Sequence, residues 1–320
     1  MRTYMGIDVG SVSTDVVLID DDNNVIASAY IRTAGQPIKA VQEGLRLISR
    51  EKPPEAEVYA VGSTGSAREL TAAIVGADVV KNEITAHAVA SSTLVPGVQT
   101  IIEIGGQDSK IIILRNGVVS DFAMNSVCAA GTGSFLDQQA ARLGIPINEF
   151  GKIALKSKNS VRIAGRCSVF AESDMIHKQQ MGHKMEDLLA GLCEALVRNY
   201  LNNVGKGKQI LPPVAFQGGV AANEGMKKAL EKALGMEVII PKDYCLMGAI
   251  GAAMLARNHE RENGHTNFRG FDVTDINYQV TSFECTKCPN LCEIICISIG
   301  DNDICRWGGR CERWQISGEK

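Results

Sequence analysis

The chain has 320 residues, 45% of them hydrophobic and 22% charged, which fits about two globular domains at ~150 residues each and excludes a disordered chain. Its 33 basic and 36 acidic residues leave a net charge of −3, so no global basic field draws it to nucleic acid or anionic lipid. Thirty-two glycines beside only 5% aromatics predict many tight turns around an aliphatic core, and ten cysteines, an even number, invite a disulfide reading.

The opening MRTYMGIDVG meets charged and glycine residues too early for a secretory leader. No run reaches the ~18 apolar residues that cross a bilayer. A cytoplasmic protein without a membrane segment is expected, and there cysteines bind metal or serve catalysis more often than they pair. Cys128, Cys167, Cys193 and Cys245 are scattered, whereas six cysteines crowd between Cys285 and Cys311.

In chain order, residues 4–30 read as strand, Gly/Ser turn, strand, Asp/Asn turn and strand. Residues 39–52 carry Ala40, Val41, Leu45, Leu47 and Ile48 at helical spacing. Residues 57–76 read as strand, glycine loop and helix, and 100–125 as a second strand-turn-strand unit. Residues 209–235 predict a strand, a Gly-Gly turn and a helix beginning near Asn223. Residues 241–258 form a small-residue helix, and the polar stretch 257–270 reads as a linker.

The two hairpins repeat position for position. Asp8 aligns with Glu103, Gly10 with Gly105, and Ser11 with Gly106, each before an aliphatic strand. The first copy's Asp-Asn turn corresponds to Asn116-Gly117, a hairpin signal. Such duplication predicts two related subdomains facing a shared cleft. Three glycine turns follow apolar strands: Asp8-Val9-Gly10-Ser11, Glu103 to Asp108, and Gln217-Gly218-Gly219. Glycine lets backbone N–H groups approach an anion, and strand-end carboxylates suit Mg²⁺ held through water.

These motifs resemble the superfamily of sugar kinases, actin and heat-shock chaperones, and no Walker A sequence is present. The resemblance implies an α/β fold of two ribonuclease-H-like subdomains around an ATP cleft. DVGS and EIGGQDSK would be the phosphate motifs and FQGGVAAN the adenosine motif. Asp8 and Asp108 would position Mg²⁺ or water, and Gln107 the attacking water. Gly10, Ser11, Ser13, Gly105, Gly106 and Lys110 would contact phosphate, and Gly218, Gly219 and Asn223 would flank the adenosine of ATP or ADP.

The segments NSVCAAGTGSFLDQQ and AGRCSVFAES, with EITAHA at 83–88, narrow the resemblance. They are similar to activators of 2-hydroxyacyl-CoA dehydratases and to benzoyl-CoA reductase-type ATPases, over residues 4 to about 257. That family implies a homodimer with one 4Fe–4S cluster on its two-fold axis, held by Cys128 and Cys167 of each subunit. Two thiols in one chain cannot complete a four-thiolate shell, but two copies can. Each cysteine stands ahead of a helical run, whose positive end would face the cluster. The family's usual lysine is replaced by Asp15 in the first motif; either Lys110 supplies the cation from the second hairpin, or the carboxylate tunes the hydrolysis rate, and the sequence does not decide between them. Cys193 and Cys245 lie in helical patterns and read as structural. His87, His177 and His183 read as surface or supporting histidines rather than ligands.

The tail, FECTKCPNLCEIICISIGDNDICRWGGRCERW, places Cys285, Cys288, Cys292 and Cys311 at spacings that suit four thiolate ligands for zinc or an iron–sulfur cluster. Cys296 and Cys305 sit in apolar or hairpin-like surroundings. The expected organisation is a first subdomain over 1–95, a second over 96–257, a linker over 258–270 and a metal-binding tail over 271–320.

The leading expectation is an ATP-hydrolysing reductase that drives low-potential electrons into an iron–sulfur partner. That partner would be a 2-hydroxyacyl-CoA dehydratase, a benzoyl-CoA-type reductase or a double-cubane-cluster protein, and a flavodoxin or ferredoxin would be the donor. A small-molecule kinase of the same fold and an ATP-controlled scaffold are the alternatives. A kinase needs a catalytic base at a substrate pocket, and the sequence offers no separate candidate.

Overall fold

The computed structural model describes residues 1–314. The chain divides into two compact units, one made of Met1–Ala86 with the chain from Gly248 onward, the other of His87–Met247.

The first unit opens with β1 (Arg2–Val9), β2 (Ser13–Ile19) and β3 (Val25–Arg32), followed by α1 (Pro37–Glu51), β4 (Glu57–Gly65), α2 (Arg68–Val75) and β5 (Val79–Val80). The sheet order is β3-β2-β1-β4-β5, with β1 antiparallel to β2 and parallel to β4. Central strands are apolar nearly throughout because both faces are covered, and Met5, Ile7 and Val9 are fully buried. Helix α1 starts with Pro at its first turn and buries Val41, Leu45 and Ile48 on one face. Helix α9 (Met247–Asn263) lies directly on this sheet. A Cβ on Gly6 would stand 1.8 Å from the Ala249 carbonyl oxygen, and one on Gly62 2.1 Å from that of Ala252. Only glycine permits that contact.

The boundary between units falls inside α3 (Glu83–Leu94). The second unit repeats the first design with β6 (Thr100–Ile104), β7 (Ser109–Arg115), β8 (Val118–Asn125), β9 (Val214–Gln217) and β10 (Val238–Ile239). Its order, read as β8-β7-β6-β9-β10, matches the first sheet strand for strand, including the parallel pairing of β6 with β9. Between β8 and β9 it inserts α4 (Gly133–Arg142), α5 (Ile147–Ala154), α6 (Ser168–Gln180) and α7 (Met185–Asn203), and α8 (Glu224–Leu234) follows β9. Leu189, Leu192, Leu196 and Tyr200 of α7 pack with Phe135, Phe150 and Phe216 in the unit's core. The expected duplication of the α/β hairpins is therefore present as two like sheets.

The polar stretch after Arg257 is helical through Asn263, longer than its composition indicated. Beyond it, Asp78 accepts hydrogen bonds from Thr266 Oγ1 (2.8 Å) and Asn267 N (2.6 Å), so the connection runs along the first unit. A three-stranded antiparallel sheet follows, β11 (Tyr278–Glu284), β12 (Glu293–Ile299) and β13 (Asn302–Trp307). Its Tyr278 and Ile297 join the first unit's core. The last six residues of the expected tail lie outside the described residues. Among the described residues no helix is long and apolar enough to cross a membrane.

Candidate nucleotide and cysteine site

Both hairpins make the same turn. Gly10 N donates to Ser13 O at 2.9 Å, and Gly105 N donates to Asp108 O at 3.0 Å. The acid of each hairpin sits at the end of its central strand. Asp8 is paired across the ladder with Asp15, and Glu103 with Lys110. Lys110 Nζ lies 3.0 Å from Glu103 Oε2 and 2.7 Å from Asp108 Oδ2, with Lys110 and Glu103 both buried. Gln107 is exposed at the tip of this turn, and Asp108 is half-buried. In the first hairpin Asp8 is half-buried, Asp15 is buried, and Ser11 is exposed beside half-buried Gly10 and Ser13. Thr33 Oγ1 donates to Gly10 O at 2.8 Å and fixes that turn.

A second pair of equivalent positions joins Gly218 to Gly65, which the sequence did not single out. Gly65 ends β4 and Gly218 follows β9, both in the left-handed region at φ 91° and 86°. A Cβ on Gly65 would lie 2.5 Å from Asp8 Oδ1, and one on Gly218 2.6 Å from Glu103 Oε1. Each glycine leaves room for the acid of the neighbouring strand. The available signal was that Gly65 stands in the same place after its parallel strand as Gly218.

Around the adenosine motif, Gly219 is exposed, Gly218 is buried, and Asn223 caps α8 by accepting from Met226 N at 3.1 Å. Asn223 Nδ2 is buried and has no hydrogen-bond partner among the described residues. Gln217 is fully buried. Its Oε1 accepts from Ser91 Oγ at 2.7 Å, which directs Nε2 to donate to His87 Nδ1, also at 2.7 Å. His87 is therefore a neutral core residue. Burial, aided by the Lys110 charge, drops its pKa from 6.5 to about 3. His177 and His183 are exposed, as expected of surface histidines.

Cys128 and Cys167 are half-buried thiols on two loops of the same unit. One residue, Asn199 of α7, binds both loops. Its Nδ2 donates to Gly165 O (2.7 Å) and Arg166 O (3.3 Å) and lies 4.0 Å from Cys128 Sγ. Asn125 closes the Cys128 loop, accepting from Cys128 N at 2.9 Å and donating to Cys128 O at 2.8 Å. Gly131 is required here, since a Cβ would stand 2.8 Å from Asn199 Oδ1. Cys167 occupies the N-cap of α6. Cys128 precedes only a short 3₁₀ turn, and α4 begins later with Thr132 at its N-cap. The expected helix dipole therefore acts at Cys167 alone, because the field fades within a turn.

The N-terminus of α4 also grips the second glycine turn. Gly133 N donates to Gly105 O, and Ser134 N to Gly106 O, both at 2.8 Å, while Ser134 Oγ donates to Gly106 O at 2.6 Å. One short segment thus ties the turn at Gly105-Gly106 to the loop of Cys128. Beside the two thiols, Val127, Val169 and Phe170 are exposed at 96%, 67% and 68%.

All ten cysteines are free of disulfides. Cys193 is buried in α7, where desolvation raises its thiol to about 12, as suits a structural residue. Cys245 lies in the turn before α9 rather than within the helix.

Over residues 5–256 the chain matches the BadF/BadG/BcrA/BcrD ATPase family. It belongs to that family. The (R)-2-hydroxyglutaryl-CoA dehydratase activating ATPase of Acidaminococcus fermentans is 35% identical over 259 residues, 79% of this chain and 96% of that protein. A benzoyl-CoA reductase component of Thauera aromatica is 29% identical over 278 residues, 82% of this chain and 95% of that one. The solved activator of the 2-hydroxyisocaproyl-CoA dehydratase from Clostridium difficile, with bound ADPNP, is similar at a TM-score of 0.74 and 32% identity, covering 82% of this chain and 97% of that one. The protein is accordingly an ATPase that shares the fold of the solved dehydratase activators, and the tail after residue 256 lies beyond the family match.

Proposed function

We propose that this ATPase is a homodimeric activator that drives low-potential single electrons into an iron–sulfur partner enzyme of the 2-hydroxyacyl-CoA dehydratase or benzoyl-CoA reductase class, with a flavodoxin or ferredoxin as donor. Cys128 and Cys167 of two subunits would hold one 4Fe–4S cluster. Half-buried thiols on loops fixed by a single buried asparagine suit that role, and the exposed Val127, Val169 and Phe170 around them suit coverage by a second copy. The cluster supplies one-electron chemistry.

The chain's own residues do the rest. In each unit a glycine turn presents N–H groups to phosphate. The carboxylates beside these turns, Asp8 with Asp15 in one unit and Asp108 in the other, are oxygen donors of the kind Mg²⁺ takes. Gln107 at an exposed tip is free to orient water. Lys110 bridges Glu103 and Asp108, which keeps the second turn compact near a polyanion. The observation that carries the reading is the segment from Gly133 to Ser134, which hydrogen-bonds the turn at Gly105-Gly106 and directly follows the Cys128 loop. Nucleotide bound at the turn would reach the thiol through this segment, the differential contact that coupling requires.

The test is anaerobic purification, with iron and sulfide analysis and EPR after dithionite reduction. Cys128→Ala should lose the dimer-shared cluster and keep ATP binding. A wild-type protein that is iron-free under these conditions, or a variant with an unchanged cluster spectrum, would refute the assignment.

A further inference from the structure

We propose that the C-terminal sheet carries a second iron–sulfur site within each chain, a 4Fe–4S cluster held by Cys285, Cys288, Cys292 and Cys311. The site is independent of Cys128 and Cys167.

The topology brings the four thiols to one end of a small sheet. Glu284 at the end of β11 pairs with Glu293 at the start of β12, and β13 returns antiparallel to finish at the same end, with Trp307 opposite Ile295. Cys285, Cys288 and Cys292 lie on the β11–β12 connection, and Cys311 follows β13. Cys285 N donates to Cys292 O at 2.8 Å and Leu291 N to Cys288 O at 3.3 Å, so the connection is closed into a compact loop. All four cysteines line one cavity of about 240 Å³, together with the cations Lys287 and Arg310. Cys296 and Cys305 do not line it. They point from strand positions opposite Thr281 and Ile297.

The donors around sulfur fit thiolates. Trp314 Nε1 donates to Cys285 Sγ at 3.1 Å, and the Lys287 backbone N–H donates to the same sulfur. Hydrogen bonds to sulfur and nearby cations stabilise a polyanionic thiolate cluster. Trp314 also packs edge-to-face on Phe283 with ring centroids 5.0 Å apart, and so walls one side.

Two observations favour a cluster over one zinc ion. Zinc at 2.3 Å from four sulfurs brings them within about 3.8 Å of one another. The four thiols instead line one cavity of about 240 Å³, more room than a single ion fills. That arrangement matches a multi-iron core with a thiolate at each corner. The spacing agrees, since three cysteines within eight residues and a distant fourth follow the iron–sulfur habit, whereas zinc sites tend to use two close pairs.

The test uses the full chain, produced and purified anaerobically, in a Cys128→Ala background and in a second Cys167→Ala background. Iron, acid-labile sulfide and zinc are counted per chain, with circular dichroism and ATP binding confirming the fold. About four iron and four sulfide per chain should remain in either background. Adding Cys288→Ala or Cys311→Ala, both exposed thiols, should cut that at least fourfold, and adding Cys305→Ala should leave it unchanged. One zinc per chain in place of iron, neither metal, or iron that survives Cys288→Ala and Cys311→Ala together would each overturn the proposal. The loss from wild type to Cys128→Ala reports the shared cluster separately, so the two readings fail independently.

Discussion

Lys110 faces Glu103 across the β6–β7 pairing with Nζ 3.0 Å from Oε2, and at the matching place in the first sheet Asp15 faces Asp8. The two hairpins share their turn and differ in charge. The second sets a cation against its acid, whereas the first sets two carboxylates opposite each other, a pair that suits a divalent cation.

Removing the Lys110 cation should be costly. Lys110→Met leaves Glu103 buried without that charge, and stability should fall by about 3–5 kcal/mol. Urea unfolding measures it. Adding Glu103→Gln should recover a large part of the loss, and additive losses would show that the two side chains are not coupled.

Asp15 should set the demand for magnesium. Asp15→Asn takes one carboxylate from the Asp8 site, and the Mg²⁺ concentration for half-maximal ATPase should rise roughly three- to tenfold, equivalent to about 1 kcal/mol. Asp15→Lys should lower the requirement. An unchanged magnesium titration in both variants would place Asp15 outside the nucleotide's reach.

His87 should make the fold acid-sensitive. Its folded pKa, about 3, lies below the ordinary 6.5, so between these values the unfolded chain binds the extra proton and stability falls as pH falls. The slope is about 1.4 kcal/mol per pH unit, with no further contribution below both values. Urea midpoints from pH 7 to pH 4 should therefore drop more steeply in wild type than in His87→Gln. Equal slopes would mean that the imidazole titrates freely.

Ser134 should transmit nucleotide binding to Cys128. In cluster-free protein, a non-hydrolysable ATP analogue should change the rate at which a maleimide labels Cys128 several-fold. Ser134→Ala removes the 2.6 Å bond to Gly106 O, worth about 1 kcal/mol, and should at least halve that change. A full response in the variant would exclude this route.

The local features were legible in the sequence. Apolar runs bounded by glycine specified both hairpins, and the Asp8/Glu103 repeat predicted two related subdomains. These follow from short-range rules, since pleat, turn chemistry and ligand spacing act over a few residues. The fold decided what depends on partners distant in sequence. Gly65 acquires meaning only beside Asp8 on the neighbouring strand. His87, read as a surface or supporting residue, is neutral because the fold buries it, where Gln217, 130 positions away, donates to its ring. Asn199 reaches both cysteine loops from a helix that gave no motif of its own. Cys128 and Cys167 looked alike in sequence, and the folded backbone gave only Cys167 a true α-helix N-terminus. Sequence periodicity fixes which residues turn inward, but hydrogen-bond partners and electric fields belong to positions in space, and those exist only once the chain has packed.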